Sequence, residues 1–107
     1  MFARMLEFHV KPEKKTEFIN KIRTEILPIL KKQPGFIDVL ALEGETEAVN
    51  VFAISLWHDK ADAERYLTNF YPKVKELFTP YLFNLPVVKF YTVNPTLSEG
   101  VFAAIAA

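Results

Sequence analysis

Two stretches of the chain are apolar on both of their faces, and this restricts its possible folds more than any other feature. From Phe36 to Glu43, Ile37, Val39 and Ala41 alternate with Phe36, Leu40 and Leu42. From Val49 to Trp57, Val49, Val51, Ala53, Ser55 and Trp57 alternate with Asn50, Phe52, Ile54 and Leu56. Runs of this length and composition specify strands. An antiparallel sheet with helices packed on one side ordinarily turns a polar face to water on the other. These strands have no such face, so a second body must cover it. The intervening Gly44-Glu45-Thr46-Glu47-Ala48 has turn composition and joins them as a hairpin.

The remaining segments supply two helices and two more strands. Residues 2–10 alternate, with Phe2, Arg4, Leu6, Phe8 and Val10 on one parity and Ala3, Met5, Glu7 and His9 on the other. Lys11-Pro12-Glu13 starts a helix, since proline suits the first turn and an acid there complements the helix dipole. Phe18, Ile22, Ile26 and Ile29 give it one apolar stripe, widened by Ile19, Leu27 and Leu30. Pro28 lies inside this helix and is expected to kink it. Gln33-Pro34-Gly35 ends it. A second helix opens at His58-Asp59-Lys60-Ala61-Asp62, with Asp59 as N-cap and Asp62 in a weak capping box. Ala63, Tyr66, Leu67, Phe70, Val74, Leu77, Phe78 and Tyr81 continue it, with an interruption near Pro72. Val87 to Asn94 is a fourth strand.

The order is βαββαβ. It predicts an α+β fold, the ferredoxin-like sandwich: an antiparallel four-stranded sheet with two helices on one face. A twofold homodimer, its sheets packed face to face, is the simplest cover for the other face. Residues 1–94 form this domain and residues 95–107 a tail, whose Val101, Phe102 and Ile105 either pack on the partner or across the barrel end, or fray.

Composition narrows the function. Thirteen basic and thirteen acidic residues leave no net charge, which argues against a nucleic-acid partner. Without cysteine there is no disulfide framework, thiol nucleophile or thiolate metal site. No apolar run reaches membrane-span length and the start is unlike a signal peptide, so cytoplasmic residence is the default. The two histidines, His9 and His58, have no metal-site spacing and read as solvated residues at a strand end and a helix start.

Four stretches carry a resemblance: His9-Val10-Lys11-Pro12-Glu13 after the first strand, Gln33-Pro34-Gly35-Phe36, the run Leu56-Trp57-His58-Asp59-Lys60-Ala61-Asp62-Ala63-Glu64-Arg65-Tyr66-Leu67, and Val87-Val88-Lys89-Phe90-Tyr91-Thr92-Val93. Over residues 2–94 the chain resembles the antibiotic biosynthesis monooxygenase-like domain of the dimeric α+β barrel superfamily. The resemblance implies a homodimer, a pocket between sheet and helices in each subunit, and oxygenation of a small aromatic or quinol-type ligand without metal, flavin or other cofactor. One branch of the superfamily binds and degrades haem, using an Asn on strand one, a Trp in helix two and a ligating His ten residues later. Here strand one has no Asn, Tyr66 and Glu76 stand at the other two positions, and no His follows His58. Glutamate is a poor axial ligand, so that mechanism is not expected.

Candidate catalytic residues are Tyr66, Trp57, Arg4 and His9, with Asn50 and Tyr91 as further polar candidates. Tyr66, Phe70, Phe78 and Trp57 are the expected substrate pocket. Trp57 also reads as plain core, and Tyr66 as a core ring with a wet tip. Arg4, a charge on an apolar parity, must be paired, exposed at an edge, or functional. It could fix a phenolate or carboxylate, or pair with a carboxylate across the dimer. A non-catalytic ligand-binding or stress-associated dimer, and an isomerase or lyase of the same superfamily, are the other functions compatible with these residues.

Overall fold

The computed structural model describes residues 1–45 and 50–106. Its elements are β1 (Phe2–His9), α1 (Lys15–Lys21), a π-helical turn (Ile22–Ile26), α2 (Leu27–Lys31), β2 (Phe36–Glu43), β3 (Asn50–Trp57), α3 (Lys60–Asn69), α4 (Tyr71–Phe78), β4 (Val87–Thr92) and α5 (Glu99–Ala106). Residues 46–49, which hold most of the expected hairpin turn and the expected first residue of the third strand, lie outside the described residues. The four strands form one antiparallel sheet in the order β2-β3-β1-β4, the ferredoxin-like arrangement. β1 is central: Phe2 faces Trp57 of β3 on one side and Thr92 of β4 on the other.

The alternation in β1 becomes a division between two faces. Phe2, Leu6, Phe8 and Val10 are buried beneath the helices. There they join Val51 and Trp57 of β3, Phe18, Ile26 and Leu30 of the first helical layer, and Ala63, Tyr66, Val74 and Phe78 of the second. Met5, Glu7 and His9 point the other way and are half-buried. Phe52, Ile54 and Leu56 share that open face, flanked by Leu40 and Leu42 of β2 and Tyr91 of β4, all three exposed. The helices thus cover one face and leave one that is apolar along Leu40, Leu42, Phe52, Ile54 and Leu56, with Glu7, His9, Asp38 and Lys89 beside them. On the open side, Val101, Ala104 and Ile105 of α5 line a groove with Ile37, Asp38 and Leu56. Among the described residues no helix is long and apolar enough to cross a membrane.

Local chemistry explains three departures from plain periodicity. Near Pro28, where a kink is expected, the helix widens into a π-helical turn just before the proline. Pro28 has no N–H to offer the Thr24 carbonyl and its ring crowds that oxygen. The helix relaxes into i→i+5 bonding, with the Leu27 N–H donating to the Ile22 carbonyl. In β2, a register shift between Phe36 and Asp38 departs from simple alternation. Phe36 therefore packs edge-on against Trp57 at 5.4 Å, under the helices and away from Leu40 and Leu42. At the start of α3, Asp59 caps the Asp62 N–H at 3.0 Å. Asp62 does not complete a capping box; its carboxylate accepts from Arg65 at 2.9 Å.

Candidate functional site

Arg4 lies in the middle of the helix-facing row of β1, between Phe2 and Leu6, and is 3% exposed. Its neighbours across the sheet are Ser55 of β3 and Phe90 of β4. Two tyrosines descend on it from the helices. Its guanidinium carbon lies 4.1 Å from the ring centre of Tyr71 in α4 and 5.6 Å from that of Tyr66 in α3. Cation–π attraction of this kind contributes about 0.5–2 kcal/mol, well below the cost of desolvating an unpaired cation. Arg4 Nε and Nη2 are buried and have no hydrogen-bond partner among the described residues.

These groups meet at a cavity of about 60 Å³ between the sheet and the helices. Its walls are aliphatic and aromatic apart from Arg4, Ser55, Tyr66 and Tyr71. The wide turn helps to shape it, since Ile22 and Ile26 line the helical side. The Ser55 hydroxyl is already engaged: it donates to the Arg4 carbonyl at 3.3 Å and accepts from Trp57 Nε1 at 3.0 Å. Among the described residues no carboxylate or imidazole lines the cavity.

Burial fixes the protonation states. It lowers the Arg4 pKa, an effect opposed by both tyrosines, and the guanidinium remains a cation at neutral pH. Burial pushes the Tyr66 phenol up to about 12, with the Arg4 charge offsetting part of the rise. Tyr71 is raised for the same reason and offset in the same way. At neutral pH both phenols are therefore neutral O–H groups beside a cation. The polar side of the cavity is suited to stabilising negative charge on whatever it holds.

The sequence candidates separate around this point. Arg4, Tyr66 and Phe78 line the cavity. Trp57 is fully buried and does not; its ring stacks behind Tyr66 at 5.3 Å and positions it. Phe70 is 43% exposed and lies with Ile29, Gln33, Pro34 and Arg65 on the outer surface. Its expected place in the pocket is not what the structure shows. The helix breaks at Phe70, so the stripe running through Tyr66 does not continue through it. His9 sits on the open face, 2.9 Å from Glu7 Oε1 and 3.2 Å from Asn84 Oδ1, with the sheet between it and the cavity. Asn50 faces His9 across β1 and β3, and Tyr91 lies on the same open face. The expected pairing of Arg4 across a sheet-to-sheet dimer is also corrected: Arg4 points under the helices, away from the open face. Tyr71 and Ser55 are the site residues that sequence reasoning missed. Among the described residues no cluster of three or more His, Asp or Glu is placed to hold a metal ion.

The family model of antibiotic biosynthesis monooxygenases matches residues 1–75, and the chain belongs to that family. Among solved structures, the chain is similar to the cofactor-independent oxygenase SnoaB from Streptomyces nogalater, with 21% identity, a TM-score of 0.76 and coverage of 92% of this chain and 97% of that one. It is also similar to a monooxygenase from the ActVA-Orf6 gene of Streptomyces coelicolor, solved in complex with nanaomycin D. The identity there is 16%, the TM-score 0.73 and the coverage 87% of each chain. A conserved protein from Methanosarcina mazei Go1 aligns at 20% identity and TM-score 0.74, covering 87% of this chain and 92% of that one. At these identities the likeness is one of fold. No curated protein is a significant match.

Proposed function

We propose that the protein is a cytoplasmic homodimeric oxygenase acting on a small aromatic or quinol-type metabolite without a bound metal or flavin. The observation that carries this reading is the Arg4 cation between Tyr66 and Tyr71 at the sheet–helix cavity, in a chain of this family. A phenol bound there would lose its proton more readily, because Arg4 stabilises the phenolate in a site with little water to screen it. The electron-rich anion passes an electron to O2, and the two radicals combine at a ring carbon. One oxygen atom stays on that carbon as a carbonyl and the other leaves as water, with hydrogens from the ring carbon and the phenol. Tyr66, held neutral by burial, donates a hydrogen bond to the bound oxygen.

The test is oxygen uptake and product analysis with a series of naphthols and hydroquinones. Turnover that falls at least tenfold in Tyr66→Phe, with thermal stability retained, supports the assignment. No uptake and no thermal shift with any member of the series sinks it. A second reading is favoured by one observation: a cavity of about 60 Å³ is far below the ~300 Å³ at which small-molecule sites begin. A non-catalytic dimer that binds a small ligand fits that volume, and predicts binding without oxygen consumption. In either case we assign the open sheet face to the partner subunit, with α5 of the tail packing at the rim of the contact.

A further inference from the structure

We propose that the Arg4 site selects a carboxylate-bearing ligand, gripped two-pronged by Arg4 Nε and Nη2. The inference rests on the reading of this cavity as the binding site and specifies what it binds. The two unpartnered nitrogens of Arg4 belong to one edge of the guanidinium. That edge presents two parallel N–H donors, the geometry that matches the two oxygens of a carboxylate. Tyr66 and Tyr71 lie against the guanidinium by their rings and their hydroxyls also interact with it, yet Nε and Nη2 have no hydrogen-bond partner among the described residues, which leaves this edge to a ligand.

Charge and size point the same way. Among the described residues the cavity wall contributes one cation and no carboxylate, so a single carboxylate group neutralises it. No imidazole or carboxylate stands at the wall among the described residues, and a carboxylic acid, already ionised at neutral pH, needs no side-chain base to bind there as an anion. A space of about 60 Å³ holds a carboxylate and little more. Tyr71 also lines a surface groove of about 620 Å³ with Lys75, Glu76 and Leu85, so among the described residues it is the one side chain that borders both the cavity and that groove. A compact aromatic acid, its carboxylate on Arg4 and its ring displacing that of Tyr71 toward the groove, satisfies all of these features.

Trp57, the sole tryptophan, stacks on Tyr66 and so reports on the site by its emission. The experiment titrates the whole protein with acetate, propionate and benzoate and with the matched amides, following Trp57 emission and melting temperature. The expected result is saturable binding of benzoate at least tenfold tighter than benzamide, lost at least tenfold in Arg4→Met. Arg4→Lys, which keeps the charge without the two-pronged edge, should retain only a minor part of the affinity. Equal binding of acid and amide, full retention in Arg4→Lys, or no carboxylate binding at all would overturn the inference. If Arg4→Met does not fold, the wild-type acid–amide comparison and Arg4→Lys decide it. Oxygen uptake is measured separately. Benzoate binding without turnover of any phenol leaves this inference standing and removes the oxygenase reading. Phenol turnover that saturating benzoate does not inhibit does the reverse.

Discussion

Arg4 is the residue whose placement in this fold is hardest to justify on stability alone. A cation 3% exposed with two unpartnered nitrogens is costly, and the ring contacts offset only part of that cost. Replacement by an apolar side chain of similar length should therefore raise stability. Arg4→Met is expected to gain about 1 kcal/mol in urea denaturation. Tyr66 makes a complementary prediction in pH. Its folded pKa, about 12, lies above the ordinary 10.0, so the folded state holds the phenolic proton more tightly than the unfolded chain. Its contribution to stability is complete below pH 10 and is lost as pH rises toward 12. Stability should fall by roughly 2–3 kcal/mol over that interval, and by distinctly less in Tyr66→Phe, in denaturation series at alkaline pH. Half of this site was legible in the sequence. Arg4 announced itself by its parity, and Tyr66 by its place on an apolar stripe. Tyr71 did not, because a spacing of five from Tyr66 falls off the face of an uninterrupted helix; only the break before Pro72 brings it to the same cation.

Helices and turns show where simple periodicity was the wrong ruler. Phe18, Ile22, Ile26 and Leu30 follow one another at intervals of four. On a regular α-helix each such step overshoots a full turn by about 40°, so the stripe would drift by ~120° over three steps. The wide turn at Ile22–Ile26 takes back part of that drift and keeps Phe18, Ile26 and Leu30 all buried. The repeated fours were therefore a signal for the turn, readable beside Pro28 but easily taken for an ordinary helical face. The Gln33-Pro34-Gly35 stop was legible, though its full reason was not. Gly35 has φ of 78°, and a Cβ placed on it would stand 2.1 Å from Asp62 Oδ2 in α3. Its carbonyl also accepts from the His58 N–H at 2.8 Å, tying the start of β2 to the end of β3. Gly35→Ala combines a left-handed backbone with a clash, and should cost about 1–3 kcal/mol by urea denaturation. Asp59→Ala removes only the cap on Asp62 and should cost about 1 kcal/mol in the same assay.

At the scale of the whole molecule, the doubly apolar strands foretold an uncovered sheet face, and one exists. Leu40 is 57% exposed and Leu42 45%, on a face that also carries Phe52, Ile54 and Tyr91. A monomer with such a surface would be prone to associate. If this face is the dimer contact, Leu40→Lys with Leu42→Lys should convert a dimer into a monomer in sedimentation velocity at micromolar concentration, without loss of helical signal. A wild-type protein that sediments as a monomer would refute it. The strand order was readable from βαββαβ alone; the placement of α5 was not, because seven small and apolar residues fit several surfaces equally well. The central position of β1 has a consequence for how the protein is made. β1 leaves the ribosome well ahead of β4, so Phe2 and Ala3 must wait for Thr92 and Tyr91, and Met1 for Val93. Until those last strand residues emerge, one edge of the earliest strand is bare. The nascent chain thus carries an unpaired strand edge until β4 is made, and Arg4 acquires its neighbour Phe90 only then.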